Sequence, residues 1–126
     1  MTVALDTWAV IGLLNADPAG ESVNALLETT RPVMSWVNLG EVYYLVYRRR
    51  GEREANRAVS DLRSLLTTDE ATASRVLEAA RLKANHHLSY ADAFAAATAI
   101  AHDAELWTGD PELLLGGAPW QWRDLR

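Results

Sequence analysis

The chain has 126 residues, of which 49% are hydrophobic, and a formal net charge of -5 from 17 acidic and 12 basic side chains. This length suits one domain with a sizeable core, since a chain of about this size removes roughly two thirds of its unfolded surface from water. The excess of acid argues against a general polyanion binder, and the absence of Cys excludes disulfides and thiolate metal sites. No leader-like or bilayer-spanning apolar run is present, so a soluble, cytoplasmic protein with no membrane partner is expected.

In chain order, Val3 to Leu5 is predicted as a strand, Trp8 to Leu14 as a short helix and Glu21 to Thr29 as a second helix. Val33 and Met34 suit a strand. From about Trp36 to Arg50 a helix carries Leu39, Val42, Tyr43 and Val46 on one face, its basic end favoured by the helix dipole. Gly51 ends it. Helices over Glu52 to Leu66 and Glu70 to Asn85 follow, with room for a short strand between them. In "YADAFAAATAIAHDA", Tyr90, Ala93, Phe94, Ala97, Ile100, Ala101 and Ala104 form one helical stripe. "ELWT" is a strand ending at Thr108, and alternation of Trp120 and Trp122 predicts a last strand with one apolar face. Strands separated by helices define the α/β class, with a mainly parallel sheet covered on both faces.

Four acids fall where open parallel sheets bind ligands, beyond the carboxyl ends of strands and near helix starts: Asp6, Glu41, Asp92 and Asp110. Each also has a local role open to it. Asp6 or Thr7 suits a helix cap, Ser89 and Asp92 have the form of a capping box, and Asp110 before Pro111 suits a helix start. Glu41, set among apolar neighbours, has an arginine partner as its simplest alternative. Gathered together, however, four carboxylates repel one another and take up protons unless a cation neutralises them. Oxygen donors without thiolate or closely spaced imidazole select Mg²⁺ or Mn²⁺, the ions of phosphoryl chemistry. His86, His87 and His102 have no metal-ligand spacing.

These segments carry a family resemblance over nearly the whole chain. "ALDTWAVIGLL", "VNLGEVYYLVYRR" and "LSYADAFAAATAIAHDAELWTGDPELL" resemble the successive motifs of the PIN-domain family, and within it the VapC-type toxins of toxin-antitoxin pairs. The resemblance implies a PIN-like three-layer α/β fold of four or five strands in a single domain spanning residues 1–126. It also implies Mg²⁺- or Mn²⁺-dependent endoribonuclease activity that leaves a 5′-phosphate and a 3′-hydroxyl, a cognate antitoxin and a homodimer. Its metal-site acids match Asp6, Glu41, Asp92 and Asp110; its supporting polar positions match Thr7, Asn38 and Thr108, and an acid of some members matches Glu112.

Trp8 departs from the family's small or aliphatic residue, either narrowing the pocket and meeting a base or packing on its neighbours. Arg48, Arg49 and Arg53 of the basic run are candidates for RNA phosphates, with a solvated helix face as the plain alternative. Tyr43, Tyr44 and Tyr47 are candidate lining for an antitoxin helix, Tyr43 equally for the core. Two other classes compete with the nuclease. A haloacid-dehalogenase-like phosphotransferase also starts from a strand ending in Asp but needs a second Asp two residues on, where Trp8 stands; a catalytically weak PIN-like binding module would use the acids only to hold a structural cation or an antitoxin arginine.

Overall fold

Alternation within three-residue strands organises the molecule: Val3 and Leu5 face one layer of helices, and Ala4 between them faces the other. The computed structural model describes residues 1–126. Its strands are β1 (Val3–Leu5), β2 (Val33–Ser35), β3 (Thr67–Asp69), β4 (Glu105–Thr108) and β5 (Gln121–Asp124). Its helices are α1 (Thr7–Leu14), α2 (Pro18–Thr29), α3 (Trp36–Arg50), α4 (Glu52–Leu65), α5 (Ala73–Asn85) and α6 (Tyr90–Ala101). The strands form one sheet in the order β3-β2-β1-β4-β5, every pair parallel. The chain therefore steps outward from β1 through β2 to β3, then crosses back to the other side of β1 to make β4. That reversal creates a crevice at the carboxyl ends of β1 and β4, the usual ligand position in such sheets.

On one face Val3, Leu5, Met34 and Trp107 pack with Val10 of α1, Val23 of α2, Leu39 and Val42 of α3 and Leu62 of α4. On the other, Ala4, Val33 and Leu106 pack with the Ala-rich helix α6, Ala79 of α5 and Trp120. The three layers agree with the expected α/β class. α6 departs from the predicted stripe: seven consecutive residues, Ala93 to Ala99, are buried, whereas Tyr90 and Ile100 are exposed. The helix lies between α5, α3 and the sheet, so its middle has no solvent face, and small side chains permit the close approach.

Several boundaries move for identifiable reasons. α2 begins at Pro18 because Asp17 caps it, accepting from Gly20 N at 2.9 Å, and proline suits the first turn. α5 begins at Ala73, not Glu70, since β3 runs to Asp69 and Thr72 supplies the cap. The predicted strand at Trp120 and Trp122 forms over Gln121–Asp124 but is exposed throughout; Trp120 is buried just before it, its indole donating to the Leu113 carbonyl at 2.9 Å. β5 is an edge strand, hydrogen-bonded in the sheet only to β4. At the end of β3, Asp69 is gripped by Arg75 Nε at 2.8 Å and by His102 Nε2 at 2.8 Å. Burial pushes its carboxyl up, but these bonds and charges outweigh it and hold it below the ordinary 3.8.

α1 and α2 cross at two glycines. A Cβ on Gly20 would lie 2.3 Å from the Gly12 carbonyl oxygen, which only a backbone shift relieves. Gly20→Ala is therefore expected to destabilise the protein by about 1–3 kcal/mol, measured as a lower midpoint in urea; an unchanged midpoint contradicts the tight crossing.

Candidate metal centre

The site begins with a buried charge. β1 ends at Leu5, and Asp6, 1% exposed, takes an extended conformation that starts α1. Its Oδ1 accepts from Ala9 N at 2.8 Å, so the capping role is real. Its Oδ2 accepts a short hydrogen bond from the Thr108 hydroxyl at the end of β4. The same hydroxyl accepts from Asp110 N at 2.9 Å, so one buried threonine ties the first acid to the fourth across the crevice.

A second set of bonds ties Glu41 to α1 and α6. Thr7 donates to Glu41 Oε1 at 2.5 Å, and Asn38 Nδ2 reaches the same oxygen at 3.3 Å while donating to the Ala91 carbonyl at 3.0 Å. Ala91 precedes Asp92. Three uncharged side chains thereby link the segments that carry all four acids, and none cancels their charge. Ser89 alone caps α6, accepting from Asp92 N at 3.1 Å. Asp110 does not start a helix; it closes a turn in which Oδ1 accepts from Glu112 N at 3.0 Å and its carbonyl from Leu113 N at 3.0 Å.

Carboxylate oxygens of Asp92, Asp110 and Glu112 lie within 4.8 Å of one another. A cleft of about 380 Å³ opens over Asp92 and Asp110 and is lined also by Glu41, with Thr7, Trp8 and Asp17 among others. Asp17 is an acid that sequence reasoning passed over, because "NADPAG" reads as the break after the first helix and the place of Asp17 as cap of α2 beside the cleft shows only in the fold. Asp6 lies beneath this lining. Burial is the main reason its pKa rises to about 7; the Thr108 and Ala9 bonds oppose that, and Asp110 and Glu41 add repulsion. Asp92 also rises to about 7, through burial first and then the Asp110 carboxylate beside it.

Metal-ion fit can be judged from these donors. All are oxygen, two of them hold protons far above the ordinary carboxylate range, and buried Asn38 Oδ1 has no partner. Carboxylates so crowded suit a hard divalent cation such as Mg²⁺ or Mn²⁺. Two histidines lie elsewhere, His102 on Asp69 and His86 edge-on to Trp120 at 5.2 Å, whereas His87 is exposed at the rim of the cluster with Nε2 4.0 Å from Glu112.

A neighbouring groove of about 300 Å³ shares Ile11 and Leu45 with the acidic cleft and is lined by Leu14, Val46, Arg49, Arg50 and Arg57, with Glu54 and Asp61 among them. Among the predicted basic residues Arg49 lines it, whereas Arg48 stacks on Tyr44 at 4.9 Å and Arg53 is exposed outside it. Arg50 and Arg57 of the same basic run also line it. The tyrosines do not line this groove: Tyr43 faces a separate polar depression with Arg31 and Arg63, and Tyr44 and Tyr47 are exposed.

The PIN domain family model matches residues 3–115. The chain belongs to that family. Its backbone is similar to VapC20 of Mycobacterium tuberculosis, a sarcin-ricin loop cleaving toxin (22% identity, TM-score 0.76, covering 92% of this chain and 95% of that one). It is similar to a chain of VapBC-1 from nontypeable Haemophilus influenzae (23%, TM-score 0.75, 99% and 98%) and of DNA-bound VapBC from Salmonella typhimurium (15%, TM-score 0.79, 100% and 99%). No curated protein sequence matches significantly. No helix is long and apolar enough to cross a membrane.

The pKa directions give a testable pH profile for the metal-free protein. Asp6 and Asp92 bind protons more tightly folded than unfolded, so their contribution to stability is full below about 4 and is lost as pH rises through about 7. Asp69 has the opposite sign: its contribution is present above 3.8 and is lost as pH falls through its lowered folded value. The melting temperature in chelator is expected to fall from pH 5 to pH 8, with millimolar Mn²⁺ restoring it most at the alkaline end. A melting temperature that rises over that range without metal contradicts the assignment.

Proposed function

We propose that this protein is a divalent-metal-dependent endoribonuclease, the toxin of a VapBC-type toxin-antitoxin pair, working in the cytoplasm as a homodimer inhibited by a cognate antitoxin. The observation that carries the reading is the convergence of Asp6, Glu41, Asp92, Asp110 and Glu112 on one sheet crevice within a PIN domain. The relatives' toxin and antitoxin complexes support the biological setting. The groove beside the cleft, where Arg49, Arg50 and Arg57 outnumber Glu54 and Asp61 over an apolar floor, supports both an RNA strand and an antitoxin segment as binding partners.

When bound, Mg²⁺ or Mn²⁺ supplies charge neutralisation and activation of water for phosphodiester hydrolysis. Asp6, Asp92 and Asp110 are its proposed holders, with Glu41 completing the set and Glu112 adding an oxygen beside Asp110. Thr7, Asn38 and Thr108 orient these carboxylates. Thr108 does so for Asp6 and for the turn carrying Asp110, and Thr7 with Asn38 for Glu41. Arg49, which lines the groove, is the proposed phosphate contact, with Arg48 and Arg53 as further candidates beside it. Water adds to phosphorus as the bond to the 3′ oxygen breaks, leaving a 5′-phosphate and a 3′-hydroxyl.

Asp6→Asn should abolish cleavage while keeping the fold, since burial already favours the uncharged form at that position. Cut-site mapping on total RNA with Mn²⁺, beside the chelated wild type, tests this. Cleavage by the variant at the wild-type rate sinks the assignment, and phosphate-ester turnover without RNA cutting would favour the phosphotransferase class. Neutralising Arg49 should lower RNA affinity and flatten its salt dependence by about one counterion, measured by filter binding with the uncleaving Asp6→Asn protein.

A further inference from the structure

Trp8 and Gly109 fill one another's space. A Cβ built on Gly109 would sit 2.3 Å from Cζ2, 2.4 Å from Cη2 and 2.6 Å from Cε2 of the Trp8 indole. Gly109 does not have a positive φ, since only Gly51 and Gly117 do among the glycines. Its lack of a side chain is therefore demanded by the ring and not by the backbone conformation. The ring occupies the volume that any other residue at 109 would need.

The place of this contact gives it consequence. Thr108, on one side of Gly109, holds both Asp6 Oδ2 and Asp110 N. Asp110, on the other side, faces Asp92 and Glu112. Trp8 itself follows Thr7, the partner of Glu41, and its side chain lines the same cleft as Asp92 and Asp110. After Asp110 the chain makes turns and no helix, so regular structure does not fix the turn from beyond the acid. Asp110 is anchored by its own backbone bonds, and the span before it rests on a rigid aromatic plate.

We propose that Trp8 is a positioning residue for Asp110, bracing Gly109 so that the fourth carboxylate stays at cation-binding distance from Asp92. The inference rests on the metal-site reading above. Ligand distances tolerate only a few tenths of an ångström, and a displacement of about 1 Å costs on the order of a hundredfold in function. Trp8 thus acts through Asp110 and is not itself a ligand.

The test is Mn²⁺ binding to the full chain, by calorimetry and by the electron paramagnetic resonance signal of free Mn²⁺, with melting temperature recorded in parallel. Gly109→Ala is expected to weaken Mn²⁺ binding by about tenfold or more, and Trp8→Ala by several-fold. In Trp8→Ala/Gly109→Ala the methyl introduced at 109 enters the space left by the indole, so the losses fall well short of multiplying. Trp8→Phe keeps a plate and should stay within a few-fold of wild type. Val10→Ala, a fully buried change on the same helix, is the control: it should lower the melting temperature while leaving Mn²⁺ affinity intact. Should Gly109→Ala fail to fold, Trp8→Ala against Val10→Ala decides the matter. Tight Mn²⁺ binding by wild type, with Trp8→Ala unchanged or its loss matched by Val10→Ala at equal melting temperature, overturns the bracing role alone. No Mn²⁺ binding by wild type overturns the metal-site reading and this inference with it.

Discussion

Asp6 is a carboxylate that the fold removes from water before anything is available to neutralise it. Its partners at the seam of β1 and β4 are a hydroxyl and a backbone amide, which solvate the charge without cancelling it. Desolvation wins: a rise from 3.8 to about 7 corresponds to roughly 4 kcal/mol in favour of the neutral form. The arrangement around it follows from that imbalance. Thr108 must be small, polar and buried to reach Asp6 and the Asp110 amide together, and Asp110 must arrive from the turn immediately after β4.

The uncharged lattice of Thr7, Asn38 and Thr108 orients the acids but leaves them mutually repulsive. The contrast with Asp69 is instructive. That acid is also largely buried, yet Arg75 and His102 compensate it, so its pKa falls while those of Asp6 and Asp92 rise. Two buried acids in one molecule thus have opposite fates, decided by whether a cationic side chain is within reach. Asp6, Glu41, Asp92 and Asp110 have no cationic side chain as an ion-pair partner, the kind of uncompensated charge that concentrates at functional sites.

The groove beside the cleft has the complementary chemistry. Arg49, Arg50 and Arg57 supply positive charge next to a concentrated negative cluster, and Ile11 and Leu45 belong to both depressions. The chain's net charge of -5 conceals this local cluster of three arginines, which Glu54 and Asp61 in the same groove partly offset.

Much of the architecture was legible in the residue order. Alternation in "VAL", capping before α1 and α6, and the period of α3 each rest on local forces acting over a few residues, and the four acids are placed by the ends of those elements. Their convergence was legible because parallel strands bring their carboxyl ends to one edge. What depended on distant neighbours was not. The missing solvent face of α6, the exposure of β5, the turn in place of a helix after Asp110 and the entry of Asp17 into the cleft all turn on what packs against them. The PIN resemblance supplied Thr7, Asn38 and Thr108 as polar companions, but only tertiary structure showed that they join the acid-bearing segments. Sequence by itself determined which residues are acidic and where each strand stops. Only the fold decided which charges are buried, which find a cation within the chain, and that Trp8 lies where a side chain at 109 would be. Those outcomes depend on contacts between residues as many as a hundred positions apart, such as Asp6 and Thr108, whose energies no local pattern encodes.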